Sequence, residues 1–221
     1  MHQPSSKTMT SVSREGASAP VPAAINQPQQ RKFWMRWRVR LGYPVAIVYW
    51  LLATPSIHSI FYGAAIAALG LAVRAAAAGY LRKDRELAIT GPYARTRNPL
   101  YLGSAILAAG FVVAGNSWPA GILVSAYFGI FYYAVMRNEE EDLRARFGAE
   151  FDSYAERVPL FFPRPFGSGL SATRATAPRT ENDAFSWAQF QRNREYRALI
   201  GTVAALAMVG LRMWIRLRFG Y

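Results

Sequence analysis

The apolar residues of the chain lie in long blocks separated by short polar segments. Four blocks stand out, at residues 41–56, 60–81, 100–115 and 120–136. Each approaches the ~20 residues that a helix needs to cross about 30 Å of hydrocarbon. The pattern therefore predicts four transmembrane helices joined by short turns.

A shorter apolar stretch at residues 198–211 is less clear, because Arg212, Arg216 and Arg218 follow it closely. It either crosses the membrane with help from residues 213–215 or dips into the interface. Residues 185–197 mix aromatic and basic side chains, which is typical of a helix at the membrane surface. Four to five membrane helices are therefore expected.

Basic residues flank the blocks on one side only. They precede the first block, follow the second, precede the third and follow the fourth, whereas the two intervening turns carry no charge. Cytoplasmic loops of membrane proteins carry such an excess of Lys and Arg. The sequence thus predicts a multi-pass protein with its N-terminus and its site in the cytoplasm. The net charge of +13 is therefore attributed to basic residues that flank membrane spans rather than to nucleic-acid binding.

The remaining segments complete an all-α architecture, a polytopic membrane helical bundle with a cytoplasmic helical cap. Residues 1–30 are polar and predict a disordered tail. Within the core, residues 31–165, one apolar stripe at residues 143–158 predicts two short cap helices divided at Gly148. Residues 166–184 predict a flexible loop, and residues 185–221 predict an interfacial helix followed by a C-terminal membrane helix.

Few residues can support catalysis by nucleophiles or metals. The chain has no cysteine and only His2 and His58, so no metal site and no histidine triad is expected. Arg74 lies inside the second apolar block, where an arginine costs about 2.5–3.5 kcal/mol on insertion scales. It is interpreted either as a functional group or as a side chain that snorkels to the interface.

Two polar segments on the cytoplasmic face predict a binding site. Residues 91–103, GPYARTRNPLYLG, enter the third block, and a charged cluster, Arg137 and residues 139–141, ends the fourth. Arginine would bind a carboxylate, glutamate an ammonium group or hydroxyls, and tyrosine a flat ring. The alternative is that the glutamates form only a solvated stretch of helix.

These two segments resemble the paired signature of the isoprenylcysteine carboxyl methyltransferase and phospholipid methyltransferase superfamily. Its pattern is GPY, R(H/N)PxYxG, and then EExxLxxxFGxxYxxYxxxVPxxxP; the resemblance covers residues 70–163, with Phe151 in place of the first tyrosine after FG. The resemblance implies an integral-membrane methyltransferase that uses S-adenosyl-L-methionine. Asn98 stands where many relatives have His, which disfavours an imidazole base. The third block has no GxG, a glycine cradle of the phosphatidylethanolamine branch.

Carried over by position, the resemblance implies a cofactor-binding set composed of Glu86, Leu87, Ala88, Tyr93, Asn98, Pro99, Leu100, Tyr101, Glu139 and Glu140. It also implies that Arg97 lies at the reaction centre, and Arg137 could hold an acidic head group. The expected acceptor is a lipophilic membrane molecule, and methylation of a carboxylate is favoured over methylation of an amine because a carboxylate needs no base. Two alternatives stay open, an NADPH-dependent membrane reductase resembling sterol reductases and a non-enzymatic membrane adaptor. The oligomeric state is not predicted.

Overall fold

The computed structural model of the protein describes residues 27–82, 86–163 and 184–220, and within these ranges it contains helices and no strand. The helices are α1 (Gln27–Leu52), α2 (Ile57–Tyr80), a 3₁₀ turn (Gly91–Ala94), α3 (Pro99–Gly115), α4 (Trp118–Phe147), α5 (Ala149–Arg157), α6 (Trp187–Arg192) and α7 (Tyr196–Phe219). The prediction of an all-α architecture is confirmed. Most of the predicted tail and nearly all of the predicted 166–184 loop lie outside the described residues.

Three helices, α2, α4 and α7, are long and apolar enough to cross a membrane, and residues 40–52 and 99–115 form shorter apolar helices. This set is that of a helical membrane bundle. The C-terminal stretch belongs to the full-length helices, since α7 extends from Tyr196 to Phe219. Glu195, just before α7, pairs with Arg74 near the end of α2, while Arg212 donates to the Leu51 carbonyl at the end of α1. Helix α7 thus begins near the end of α2 and passes the end of α1. Since these two ends lie on opposite faces of the bundle, α7 runs its full height.

The two uncharged turns meet at one end of the bundle. The Thr54 N–H donates to the Gly115 carbonyl at 2.8 Å. The Thr54 hydroxyl donates to the Asn116 carbonyl at 2.6 Å, and the Asn116 amide donates to the Thr54 carbonyl at 3.2 Å. Asn116 ends α3 in the left-handed conformation, φ 47°, which short polar side chains tolerate. The basic segments next to α2, α3 and α4 consequently lie at the opposite end, whereas Arg212, Arg216 and Arg218 near the end of α7 lie on the side of these turns.

Helices α2 and α3 pack with their backbones in close contact because glycines face each other across the interface. An added Cβ at Gly63 would lie 2.5 Å from the Gly110 carbonyl oxygen, and one at Gly70 would lie 2.6 Å from that of Gly103. Small residues permit such approach between membrane helices, where van der Waals packing rather than the hydrophobic effect drives association. This pair forms the centre of the bundle.

The cap differs from its predicted form in one respect. Helix α4 has 30 residues and, at 1.5 Å per residue, spans about 45 Å, which exceeds the hydrocarbon thickness. The first predicted cap helix is therefore the continuation of α4 beyond Met136. Gly148, at φ 50°, breaks the run as expected, and α5 folds back from it.

The C-terminal segment is anchored to the end of α2. The Ser186 N–H donates to the Gly79 carbonyl at 3.1 Å, and the Gln189 amide donates to the Leu81 carbonyl at 2.7 Å. The Asn193 amide donates to the carbonyls of Ala78 and Leu81 at 2.8 and 3.0 Å. Carbonyls at the last turn of a helix lack intrahelical partners, so the Ser186 N–H and the two side-chain amides cap α2.

Candidate functional site

The predicted turn before α3 is joined by hydrogen bonds to the segment that follows α5. The Arg97 N–H donates to the Pro159 carbonyl at 2.9 Å, and the Thr96 hydroxyl donates to the Phe161 carbonyl at 2.9 Å. The Asn98 amide donates to the Leu160 carbonyl at 3.0 Å. Asn98 therefore has a structural role in holding the turn before α3. The turn before α3 and the segment after α5 thus form one unit.

Helix α5 adds a buried contact to this unit. The Tyr154 hydroxyl donates to the Tyr93 carbonyl at 2.7 Å, and Tyr154 packs with Phe151 and Val158 against Leu87. Burial raises the pKa of both phenols above the ordinary value of 10; the Glu139 carboxylate adds to the rise at Tyr93, and the Arg97 guanidinium opposes it at Tyr154. Both hydroxyls therefore keep their protons at physiological pH.

Replacing Tyr154 by phenylalanine should destabilise the cap. The Tyr93 carbonyl would lose a buried donor, and an unsatisfied buried polar group costs about 1–3 kcal/mol. Thermal melts of the detergent-solubilised protein should show a lowered melting temperature for Tyr154→Phe. Tyr133→Phe, on an exposed position of α4, is the matched control, and equal melts for the two variants would contradict the assigned bond.

Behind the turn, a buried ion pair links it to α4. Arg97 Nη1 lies 2.9 Å from Glu140 Oε1, with side chains 15% and 7% exposed. The contact is electrostatic, because Arg97 Nε and Glu140 Oε1 find no hydrogen-bond partner within the described part of the chain. Arg137 Nη1 reaches Glu140 Oε2 at 3.0 Å from a side chain that is 55% exposed. Exposed pairs contribute little, so Arg97 is the main partner of Glu140.

A cavity of about 560 Å³ opens between the turn, the start of α3 and the C-terminal part of α4. Nine of the ten predicted cofactor residues line it, and so does Arg97: Glu86, Leu87, Ala88, Tyr93, Asn98, Pro99, Leu100, Tyr101 and Glu139. Glu140 and Arg137 lie outside this lining, with Glu140 held by Arg97 as described above. The structure therefore places most of the predicted cofactor-binding residues around one cavity.

Sequence reasoning missed several lining residues, namely Arg82, Ser104, Tyr132, Asp142, Arg146 and Glu195, and left Arg74 open. Arg74 has side-chain partners on α3 and before α7: its Nε and Nη2 donate to Glu195 at 3.1 and 2.8 Å, and its Nη1 donates to Ser104. An arginine inside an apolar block was a usable signal. Glu195 had no such signal, because it lies in a short polar connection far along the chain.

A second cavity, of about 730 Å³, lies within the apolar part of the bundle between α1, α3, α4 and α7. Its lining is mainly aliphatic and aromatic, including Tyr49, Trp50, Phe111, Phe128 and Val209. Three residues, Arg74, Ser104 and Tyr132, line both cavities. A polar cavity and an apolar cavity therefore share one boundary.

Comparison with known proteins gives a family for this arrangement. Residues 46–150 match the family model described as phospholipid methyltransferase. Over 83 residues the chain is 40% identical to the nickel-cobalt-cadmium resistance protein NccN of Alcaligenes xylosoxydans xylosoxydans and 36% identical to the cobalt-zinc-cadmium resistance protein CzcN of Cupriavidus metallidurans. Each match covers 38% of this chain and 38% of the relative. No solved structure matches the chain.

The family match contains the 91–103 turn, the α2–α3 pair and the 137–141 cluster, and the membrane helices surround them. Residues in the described ranges form no group of three or more His, Cys, Asp or Glu side chains suited to a metal ion. Residues 46–150, slightly less than half of the chain, match the phospholipid methyltransferase family, one of the two families whose paired motifs this sequence resembles.

Proposed function

We propose that the protein transfers a methyl group from S-adenosyl-L-methionine to a lipophilic acceptor that enters from the bilayer. The observation that supports this most directly is the shared boundary of the two cavities. One cavity is the more polar and adjoins the turn before α3, and the other is apolar and lies among membrane helices. Two reactants of opposite polarity can meet there. The basic residues that flank α1 to α4 on one side support a cytoplasmic position for the polar cavity, with Arg212, Arg216 and Arg218 near the end of α7 as the exception.

The polar cavity has suitable groups for this cofactor. Its volume of about 560 Å³ falls in the range of ligand pockets, roughly 300–1,000 Å³. Arg97 Nε is buried and lacks a hydrogen-bond partner among the described residues, so this N–H is available to a ligand carboxylate. Glu139 supplies a carboxylate for an ammonium group or ribose hydroxyls. Tyr93 and Tyr101 supply aromatic faces for an adenine ring.

The chain's own contribution to the reaction is mainly positioning. S-adenosyl-L-methionine supplies an electrophilic methyl group on its sulfonium sulfur. Orienting two bound reactants can lower the activation free energy by about 7–11 kcal/mol. On the cofactor side, Tyr101, Glu139 and Arg97 would provide this orientation. A carboxylate acceptor is ionised at neutral pH and needs no base. An amine acceptor would need to lose a proton, and Glu139 is one of the carboxylates in the cavity lining that could accept it, whereas Glu140 is held by Arg97.

The cofactor assignment predicts weaker binding on truncation of Glu139 or Tyr101. Loss of a hydrogen bond to a charged group costs about 1.5–3 kcal/mol, equivalent to roughly 10- to 150-fold in Kd. Calorimetry with S-adenosyl-L-methionine should show this for Glu139→Ala, and a smaller loss for Tyr101→Ala. Glu141→Ala, an exposed neighbour outside the cavity lining, is the control. Wild-type affinity in both site variants would refute the assignment.

The acceptor class and the rival cofactor are tested separately. Mass spectrometry of lipid extracts and membrane proteins, after incubation with deuteromethyl-labelled S-adenosyl-L-methionine, would identify the methylated group and distinguish a carboxylate from an amine. Thermal stabilisation by NADPH but not by S-adenosyl-L-methionine would replace this proposal with a membrane reductase.

A further inference from the structure

The boundary between the two cavities is built around the guanidinium of Arg74. Its Nε donates to Glu195 Oε2 at 3.1 Å, and its Nη2 lies 3.0 and 2.8 Å from the two oxygens of the same carboxylate. Its Nη1 is held by the Ser104 hydroxyl and by the Leu100 carbonyl at 3.4 Å. The side chains are 22% and 12% exposed. One edge of Arg74 thus binds a carboxylate, and the other edge is fixed to α3.

Glu195 comes from outside the family match, which ends at residue 150. The capping bonds from Ser186, Gln189 and Asn193 fix its segment to the end of α2. Arg194, directly before Glu195, has φ 55°, a conformation that costs a non-glycine residue energy and persists only when the surrounding structure holds it. The C-terminal segment is therefore built to place this carboxylate at the cavity boundary.

We propose that Arg74 binds the head group of an anionic acceptor and that Glu195 occupies the same edge of the guanidinium until the acceptor displaces it. The inference rests on the proposed function, because it assigns the acceptor to the apolar cavity. Glu195 shows how a carboxylate fits this edge, through the side-on contact with Nε and Nη2 that arginine favours. Displacement exchanges one carboxylate for another on Arg74, and Glu195 also lines the polar cavity into which it can turn.

An anionic head group suits this position better than a cationic or neutral one. An apolar tail in the second cavity would bring its head to Arg74, Ser104 and Tyr132, the three residues that both cavities share. An ammonium group there would face the guanidinium, and like charges repel strongly when water is scarce. A hydroxyl would leave the cation without a counter-charge once Glu195 moved. Of the three head groups, only an anionic one restores the negative charge that Arg74 loses when Glu195 moves away.

Three probes with the same ten-carbon tail test this proposal: decanoate, decanol and decylamine. Their dissociation constants would be measured by calorimetry in dodecyl maltoside on the full chain. Wild type should bind decanoate tightest. Glu195→Gln removes the competing charge and should bind decanoate about tenfold more tightly, a change of about 1.4 kcal/mol. Arg74→Gln should lose at least the same factor, with little change for decanol.

Further variants separate folding from recognition. Arg74→Gln leaves Glu195 without its cation, so the double variant Arg74→Gln/Glu195→Gln, in which both charges are absent, is measured alongside it and should show no preference among the three probes. Arg212→Gln loosens α7 at its other end, where Arg212 contacts Leu51 and Trp50, and should leave the decanoate preference intact.

The outcomes also distinguish this inference from the proposed function. Tighter binding of decylamine to wild type, with loss in Glu195→Gln, would assign Glu195 to an amine acceptor and overturn the proposal. Equal decanoate binding in wild type and Glu195→Gln would overturn the displacement. A decanoate preference in a protein that does not bind S-adenosyl-L-methionine would sustain the Arg74 site and refute only the methyl transfer.

Discussion

Glu140→Ala should be the most destabilising single replacement at the site. It leaves the Arg97 guanidinium, 15% exposed, without its counter-charge. Breaking a buried ion pair by removing one partner costs about 3–5 kcal/mol, because the remaining charge stays buried. The expected result is a large fall in the melting temperature of the detergent-solubilised protein. The replacement also removes the pair of Glu140 with the exposed Arg137, which adds little to the loss because exposed ion pairs are worth little.

Two comparisons make this result specific. Glu141→Ala removes an exposed acid from the next position of α4 and should melt like wild type. The double variant Arg97→Met/Glu140→Ala removes both charges and should recover much of the loss, a non-additivity that a double-mutant cycle measures. A double variant as unstable as the sum of the single ones would show that the two side chains act independently.

The sequence predicted the location of the site because its two motifs adjoin the ends of neighbouring helices. GPYARTRNPLYLG precedes α3 and the 137–141 cluster lies in α4, so both had to meet on one face once the spans were recognised. The hydrogen bonds from Thr96 and Asn98 to the carbonyls after α5, which join the turn to the cap, could not be predicted. These bonds depend on the fold-back at Gly148, whose angle no pattern in the sequence specifies.

The role of Glu140 shows the limit of motif reasoning. The two acids of the EE pair are adjacent in sequence, but consecutive helical residues point about 100° apart. Glu139 therefore lines the cavity, whereas Glu140 turns behind it to Arg97. The motif identified both acids as a unit, and only the helical geometry separates a residue that faces the cavity from one that holds its wall.

Glu195 was missed for a different reason. It lies 121 positions from Arg74 in the sequence, and the connection between them includes residues outside the described ranges. The intramembrane arginine indicated that a partner should exist, but 13 acidic residues could have supplied it. Only the capping of α2 by the C-terminal segment selects Glu195.

The glycine pairs between α2 and α3 determine how far apart the walls of the site lie. Gly70 and Gly103 are within one turn of Arg74 and Ser104, and an added Cβ at Gly103 would lie 2.7 Å from the Arg74 Cγ. Any separation of the two helices would therefore move Arg74 relative to α3. Helix packing and the boundary between the cavities are set by the same contacts.

Gly70→Ala should accordingly reduce both stability and ligand binding. The new Cβ would lie 2.6 Å from the Gly103 carbonyl oxygen and 2.6 Å from the Leu107 backbone nitrogen. Since both are backbone atoms, the helices must separate, and overpacking of this kind costs about 1–3 kcal/mol. We expect a loss of stability near 3 kcal/mol, which would be measured as a lowered melting temperature. The same preparation should bind decanoate more weakly than wild type.

The matched control for Gly70→Ala is Gly129→Ala in α4, where an added Cβ meets nothing within 4 Å. There the substitution should be neutral or stabilising, since alanine exceeds glycine in helix propensity by up to about 1 kcal/mol. Both variants replace glycine by alanine, but the expected changes in melting temperature have opposite signs. A melting temperature for Gly70→Ala at or above that of wild type would show that this close contact does not hold α2 and α3 together. A normal decanoate affinity in a destabilised Gly70→Ala protein would show that the packing of the helix pair does not determine the position of Arg74.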